Sequence, residues 1–170
     1  MKFRIVLLIT FAFLTAACDS ASDRTAIENV KVNRVILKKS ERKLILMTGK
    51  TVLKSYKVAL GRNPIGPKRQ DGDNKTPEGS YIIDKHTPKS SFHLSLHISY
   101  PSASDSEQAI RRDVRPGGDI MIHGIKNGLG WIGPLHRLID WTQGCIAVTN
   151  KEIEEIYALV PDGTPIDLQQ

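Results

Sequence analysis

One thiol and one imidazole carry the chemistry in this chain. Cys145 lies in Trp141-Thr142-Gln143-Gly144-Cys145-Ile146, and His123 lies upstream in Ile122-His123-Gly124. A free cysteine is only a few per cent thiolate at neutral pH, so a nucleophilic one needs a base or a positive neighbour to hold the charged form. His123, at the end of a predicted strand and followed by Gly124, is placed to project into a cleft and is the candidate base. Gly144 lets the chain turn sharply before the thiol, and backbone amides near Gly144 and Cys145 would donate to a developing oxyanion, as acyl transfer requires. Taken by itself, a cysteine and a histidine at this separation also fit a buried structural thiol. The elements around them decide the weight of the pair.

Those elements are mostly strands. Residues 32–38 and 43–48 are short aliphatic runs separated by the polar Lys39-Ser40-Glu41-Arg42 and read as a hairpin, with a third strand over 51–60. Residues 61–79 are too rich in glycine, proline and charge for a regular element and read as a long ordered loop or a lid. Strand character returns at 81–84 and 92–99. In the latter, Phe92, Leu94, Leu96 and Ile98 alternate with His93, Ser95, His97 and Ser99, which predicts one buried and one polar face. Ser104 and Glu107 read as a capping box opening a short helix to about Asp113, and Arg115-Pro116-Gly117-Gly118 turns the chain into a strand over 119–123. The last helix spans 149–160, capped by Thr149 and Glu152 with an apolar stripe of Ile153, Ile156, Tyr157 and Val160, before a closing strand at 165–168.

The N-terminus addresses the chain to export. Lys2 and Arg4 precede an apolar run from Ile5 to Leu14 and the small residues Thr15-Ala16-Ala17, the layout of a secretory signal over residues 1–17. Cys18 follows, so the site resembles a bacterial lipobox with Thr15 where leucine is usual, and Cys18 is the candidate lipidation site. Simple cleavage near Ala17 and an uncleaved anchor are the other readings. Residues 18–29 form a polar tether, and residues 30–170 are enough for one domain with a core of its own. Loss of Lys2 and Arg4 takes the net charge from +6 to +4. No basic run is dense enough for nucleic acid, while a modest positive surface suits anionic wall polymer or lipid head groups. The expected location is the periplasm or cell envelope, with a membrane anchor through Cys18 if it is acylated. Pairing of Cys18 with Cys145 would fasten a tail to a motif crowded with glycine and tryptophan, and Cys145 reads as a free thiol.

Other motifs have plainer readings. His93 and His97 lie roughly 13 Å apart along one strand face, too far to share an ion, and read as solvent-facing or groove-lining. Gly128-Leu129-Gly130-Trp131-Ile132-Gly133 spells the dinucleotide fingerprint, but there is no room after it for a crossover helix and parallel strand. A glycine-rich flap over the site suits it better. His136 either orients the cleft or is structural. Trp131 and Trp141, flanking that segment, either line a substrate groove or are buried supports of the flap.

Together these motifs resemble the L,D-transpeptidase catalytic (YkuD-like) domain family. The resemblance runs from about residue 30 through Gly72-Asp73-Asn74-Lys75-Thr76-Pro77-Glu78-Gly79-Ser80-Tyr81, Tyr100-Pro101, Pro116-Gly117-Gly118, Ile122-His123-Gly124 and Thr142-Gln143-Gly144-Cys145-Ile146. It implies a mainly β, β-sandwich-like fold with short helices, and an enzyme without metal or organic cofactor. It also implies that Cys145 is the nucleophile, His123 the general base, and Gly144 and Gln143 the positioning residues at the oxyanion. The partner implied is the peptidoglycan stem peptide, acylating the enzyme at diaminopimelate with loss of D-alanine. An amine of another stem, or of a wall-linked lipoprotein, would then resolve the thioester.

Two departures bear on substrate. Gln143 stands where the common pattern has a second histidine, and it cannot titrate. Ala147 stands where arginine is usual, removing a cation that would grip a carboxylate. His136 is a candidate substitute for the missing histidine. A hydrolase on the same scaffold, acting as carboxypeptidase or as an amidase that frees wall-bound peptide, and a non-catalytic wall-binding lipoprotein are the alternative readings.

Overall fold

A computed structural model describes residues 31–170. The signal segment, Cys18 and the tether lie outside the described residues. Eight strands form one mixed sheet: β1 (Arg34–Lys38), β2 (Lys43–Thr48), β3 (Thr51–Lys57), β4 (Gly79–Ser90), β5 (His93–Ile98), β6 (Met121–His123), β7 (Ile146–Ala147) and β8 (Thr164–Gln169). Their order across the sheet is β3-β2-β1-β8-β4-β5-β6-β7. β1 pairs in parallel with β8, β6 in parallel with β7, and the other neighbours are antiparallel.

The sheet curls back on itself. Beyond β3 the chain reaches the opposite edge, where Ala59 bridges Ala147 and Gly61 bridges Thr142. The apolar faces thereby enclose one core that includes Val35, Leu37, Leu44, Leu46, Ile83 and Ile122, all wholly buried. That is the mainly β, sandwich-like architecture the motifs imply, made here by a single curled sheet.

Among the described residues, two α-helices and a 3-10 segment complete the fold. α2 (Asn150–Leu159) begins at Thr149, whose side chain caps Glu152 N–H while the Glu152 carboxylate returns to the Thr149 amide, as its sequence predicts. Its Ile153 and Ile156 are buried. α1 (Ala103–Ile110) starts two residues earlier than its sequence suggests, on a capping box of Ser102 and Asp105 instead of Ser104 and Glu107. A tertiary contact chooses that register, because the Asp105 carboxylate also accepts the Tyr81 hydroxyl of β4 at 3.0 Å. β4 is much longer than the expected 81–84, since bulges against β5 carry the pairing out to Ser90.

The loop at 61–79 is a brace. Lys39, wholly buried, donates to the Gly66 and Thr76 carbonyls at 2.8 and 3.0 Å and pairs with Glu78 at 2.8 Å. Lys68 pairs with Asp73 at 2.9 Å within the loop. Residues 130–138 form 3-10 turns broken at Gly133, whose φ is +54°. That geometry is not the strand, tight turn and α-helix that a dinucleotide site needs.

Candidate active site

Ser95, on the polar face predicted for β5, lies on the floor of a cavity. Register places Thr87 opposite Ser95 and Ser95 opposite His123, while Lys85 pairs with His97 and His97 with Met121. Because side chains two apart on a strand share a face, these six residues make two rows across β4, β5 and β6. Cys145 ends the turn leading into β7, whose Ile146 and Ala147 pair with Ile122 and His123. Cys145 and His123 thus reach one cavity of about 680 Å³, lined also by Ser95, Phe92, Trp141 and Gln143.

The thiol turn is locked from within. Thr142 Oγ1 accepts the Gly144 N–H at 3.1 Å and donates to the Cys145 carbonyl at 2.7 Å. Gly144 has φ +133°, and a Cβ there would lie 2.6 Å from the Lys75 carbonyl oxygen, so only glycine lets the turn rest on the 61–79 loop. The Gly144 N–H is therefore directed into the turn. Cys145 is half-buried, and its Sγ–H points to the Asp119 carbonyl at 3.5 Å. Burial pushes the thiol pKa up, the more so beside the Asp119 carboxylate, while the Met121 N–H and Lys68 act in the opposite direction.

His123 is 4% exposed. Its Nδ1 donates to the Gly124 carbonyl at 2.6 Å, which leaves Nε2 as the basic nitrogen. Phe92 lies 4.5 Å from its ring centre and Trp141 5.8 Å. This apolar packing pushes its pKa down to about 4, against the opposing pull of the Gly124 carbonyl. A neutral thiol and a neutral imidazole are the resting forms near pH 7. Gly124 itself is pinned where a Cβ would meet Asn150 Oδ1 at 2.8 Å, so the end of β6 abuts the start of α2 closely.

The remaining candidates divide. Gln143 is exposed at the cavity and Trp141 lines it. Trp131 is not a buried support: it is 82% exposed, and it is not among the residues lining this cavity. The glycine-rich segment around it is not among the residues lining the cavity. His136 is 8% exposed and sits behind Trp141, whose Nε1–H donates to His136 Nδ1 at 3.3 Å. Burial and Arg137 push the His136 pKa down to about 4, against the pull of Glu152. His97 lines an adjoining hollow and pairs with Asp84, and His93 pairs with Glu154, each at 2.6 Å. Among the described residues no group of three histidine, cysteine or acidic side chains could hold a metal.

Sequence reasoning missed Arg62, Lys126 and Asp119, which also line the cavity. Arg62 is held there by its own N–H, bonded to the Thr142 carbonyl at 3.0 Å. Ala147 is wholly buried against Ala59, so the cations at this site come from other segments of the chain. Nothing in the local patterns around Arg62 or Lys126 signals this.

Comparison with known proteins gives the family and the fold. YafK of Escherichia coli (strain K12), whose name assigns it provisionally to the L,D-transpeptidases, is 31% identical over 111 residues, 64% of this chain and 37% of its own. Pgp2, a helical cell shape determining protein of Campylobacter jejuni, is 26% identical with a TM-score of 0.64, over 82% of this chain and 48% of that one. An L,D-transpeptidase from Mycobacterium smegmatis shares the fold at 14% identity and a TM-score of 0.54, over 81% of this chain and 58% of that one. The chain thus spans about half the length of these solved structures and less of the curated relative. The family model described as the L,D-transpeptidase catalytic domain, YkuD, matches residues 32–168, and the chain belongs to that family.

Proposed function

We propose that this protein is a peptidoglycan L,D-transpeptidase in which Cys145 is acylated by the stem peptide and His123 is the general base. The observation that carries this reading is the meeting of the thiol and a neutral, Nδ1-anchored imidazole in one cavity. His123 Nε2 takes the proton of Cys145, sulfur attacks the carbonyl carbon at diaminopimelate, and D-alanine leaves with the proton. An amine of another stem or of a wall-linked lipoprotein then resolves the thioester. Arg62 and Lys126 supply positive charge for the carboxylates of the donor, the task that Ala147 cannot perform. The domain is residues 30–170, exported behind the signal at 1–17 and held at the envelope by a lipid on Cys18 through the tether.

The test is mass analysis of purified stem peptides after incubation with wild type and with Cys145→Ala. A crosslinked dimer and a Cys145 acyl adduct with wild type alone support the reading, and a carbapenem should label wild type alone. Shortened peptide without crosslinks would make the protein a hydrolase. Turnover by Cys145→Ala would remove the thiol from the mechanism.

A further inference from the structure

One group on the cavity floor has no partner. Ser95 is wholly buried, lines the cavity, and its Oγ makes no hydrogen bond among the described residues. Buried hydroxyls are nearly always paired, and no group of the described residues pairs with this one, so the partner it lacks is something that enters the cavity it lines. Its position says what that is. Ser95 stands directly opposite His123 on the neighbouring antiparallel strand, with Thr87 opposite on the other side. Direct cross-strand neighbours hold their Cβ atoms about 4.5–5.5 Å apart, so the Ser95 and His123 side chains stand side by side at the cavity they both line. In strand order the thiol lies on one side of His123 and Ser95 on the other.

We propose that Ser95 Oγ is the contact that docks the second nucleophile, a primary amine or water, beside His123. The inference rests on the acyl-enzyme reading above. In this step the nucleophile's lone pair attacks the thioester carbonyl carbon and the carbon–sulfur bond breaks. The proton it sheds passes to His123 Nε2 and on to the departing Cys145 sulfur, which restores the neutral thiol and imidazole. A second hydrogen on the attacking atom is donated to Ser95 Oγ. Nucleophiles with two hydrogens satisfy both groups, whereas secondary amines and alcohols leave Ser95 unpaired. The hydroxyl thereby selects the acceptor class without touching the donor.

The test follows formation and decay of the Cys145 acyl-enzyme by mass spectrometry in wild type and Ser95→Ala, using a tetrapeptide stem as donor. Decay is measured in buffer, with glycinamide as primary amine and with sarcosinamide as secondary amine. Ser95→Ala is expected to acylate within about threefold of wild type, to decay at least about tenfold more slowly in buffer and with glycinamide, and to lose the preference for glycinamide over sarcosinamide. Its melting temperature should be unchanged or higher, because the hydroxyl removed makes no bond in the free protein. Slowing only with glycinamide, or only in buffer, would overturn the shared site for amine and water. Equal slowing of both steps, unchanged decay or a lower melting temperature would overturn the assignment of Ser95 alone. Absence of any acyl-enzyme in wild type would overturn the acyl-enzyme reading and this inference with it.

Discussion

The Thr142 hydroxyl fastens the Cys145 turn at both ends, accepting the Gly144 N–H and donating to the Cys145 carbonyl. Thr142 is 4% exposed, so water cannot replace either bond. Thr142→Val keeps the shape and loses both bonds. It should cost about 1–3 kcal/mol in denaturant unfolding and slow acylation by about tenfold or more, because the thiol is no longer held at one height above the floor. Thr142→Ser should restore both. A valine variant with normal stability and acylation would show that the turn holds without the hydroxyl.

Burial pushes His123 down to about 4, and a base must be neutral to accept a proton. The acidic limb of kcat/KM should therefore fall close to pH 4, well below the ordinary histidine value, with the proton uptake shared by the coupled Cys145 and His123 pair. His123→Gln should suppress acylation about a hundredfold. Gln143→His, which restores the commoner motif, should leave acylation competent. A limb centred near 6.5 in wild type, or near-normal acylation by His123→Gln, would transfer the role of base to another group, with His136 the first to examine.

Stability has its own pH dependence from the same burial. His123 and His136 are both pushed down to about 4, so over the window from 6.5 to 4 the unfolded chain binds protons that the folded chain refuses. Their contribution is complete above pH 6.5 and is lost as pH falls toward 4, on the order of 3 kcal/mol for the nearly fully buried His123 imidazole. Thermal unfolding across pH should show this loss. His136→Gln, which keeps an acceptor for Trp141 and cannot titrate, should show a shallower one. Identical slopes would mean that His136 titrates normally in the folded protein.

The proposed envelope anchor rests on one residue, Cys18. Cys18→Ser should abolish acyl-chain labelling and move the protein from the membrane to the soluble fraction, with in vitro acylation unchanged. Continued lipid labelling of that variant would exclude Cys18 as the anchor.

Periodicity and capping were legible from the chain alone. The hairpin of β1 and β2, the third strand, the alternation of β5, the Thr149 and Glu152 cap of α2 and the closing strand all follow from patterns a few residues long, because strand faces and helix ends are local physics. The ordered motifs around His123 and Cys145 were legible in the same way. Local pattern did not say what the polar face of β5 meets. Ser95 could face water or a cavity, and pairing with β4 and β6 decides for the cavity. The cap of α1 lies at Ser102 and Asp105, away from its local pattern, because Tyr81, far away in sequence, binds Asp105. Between the two readings of His136, tertiary contact decides for the structural one, because Trp141 beside His123 takes His136 as its acceptor, while Trp131 is left exposed. Arg62 enters the site only through the bridge of Gly61 to Thr142 that closes the sheet. Each of these depends on contacts between segments remote in sequence, and such contacts leave no periodic trace in the segments themselves.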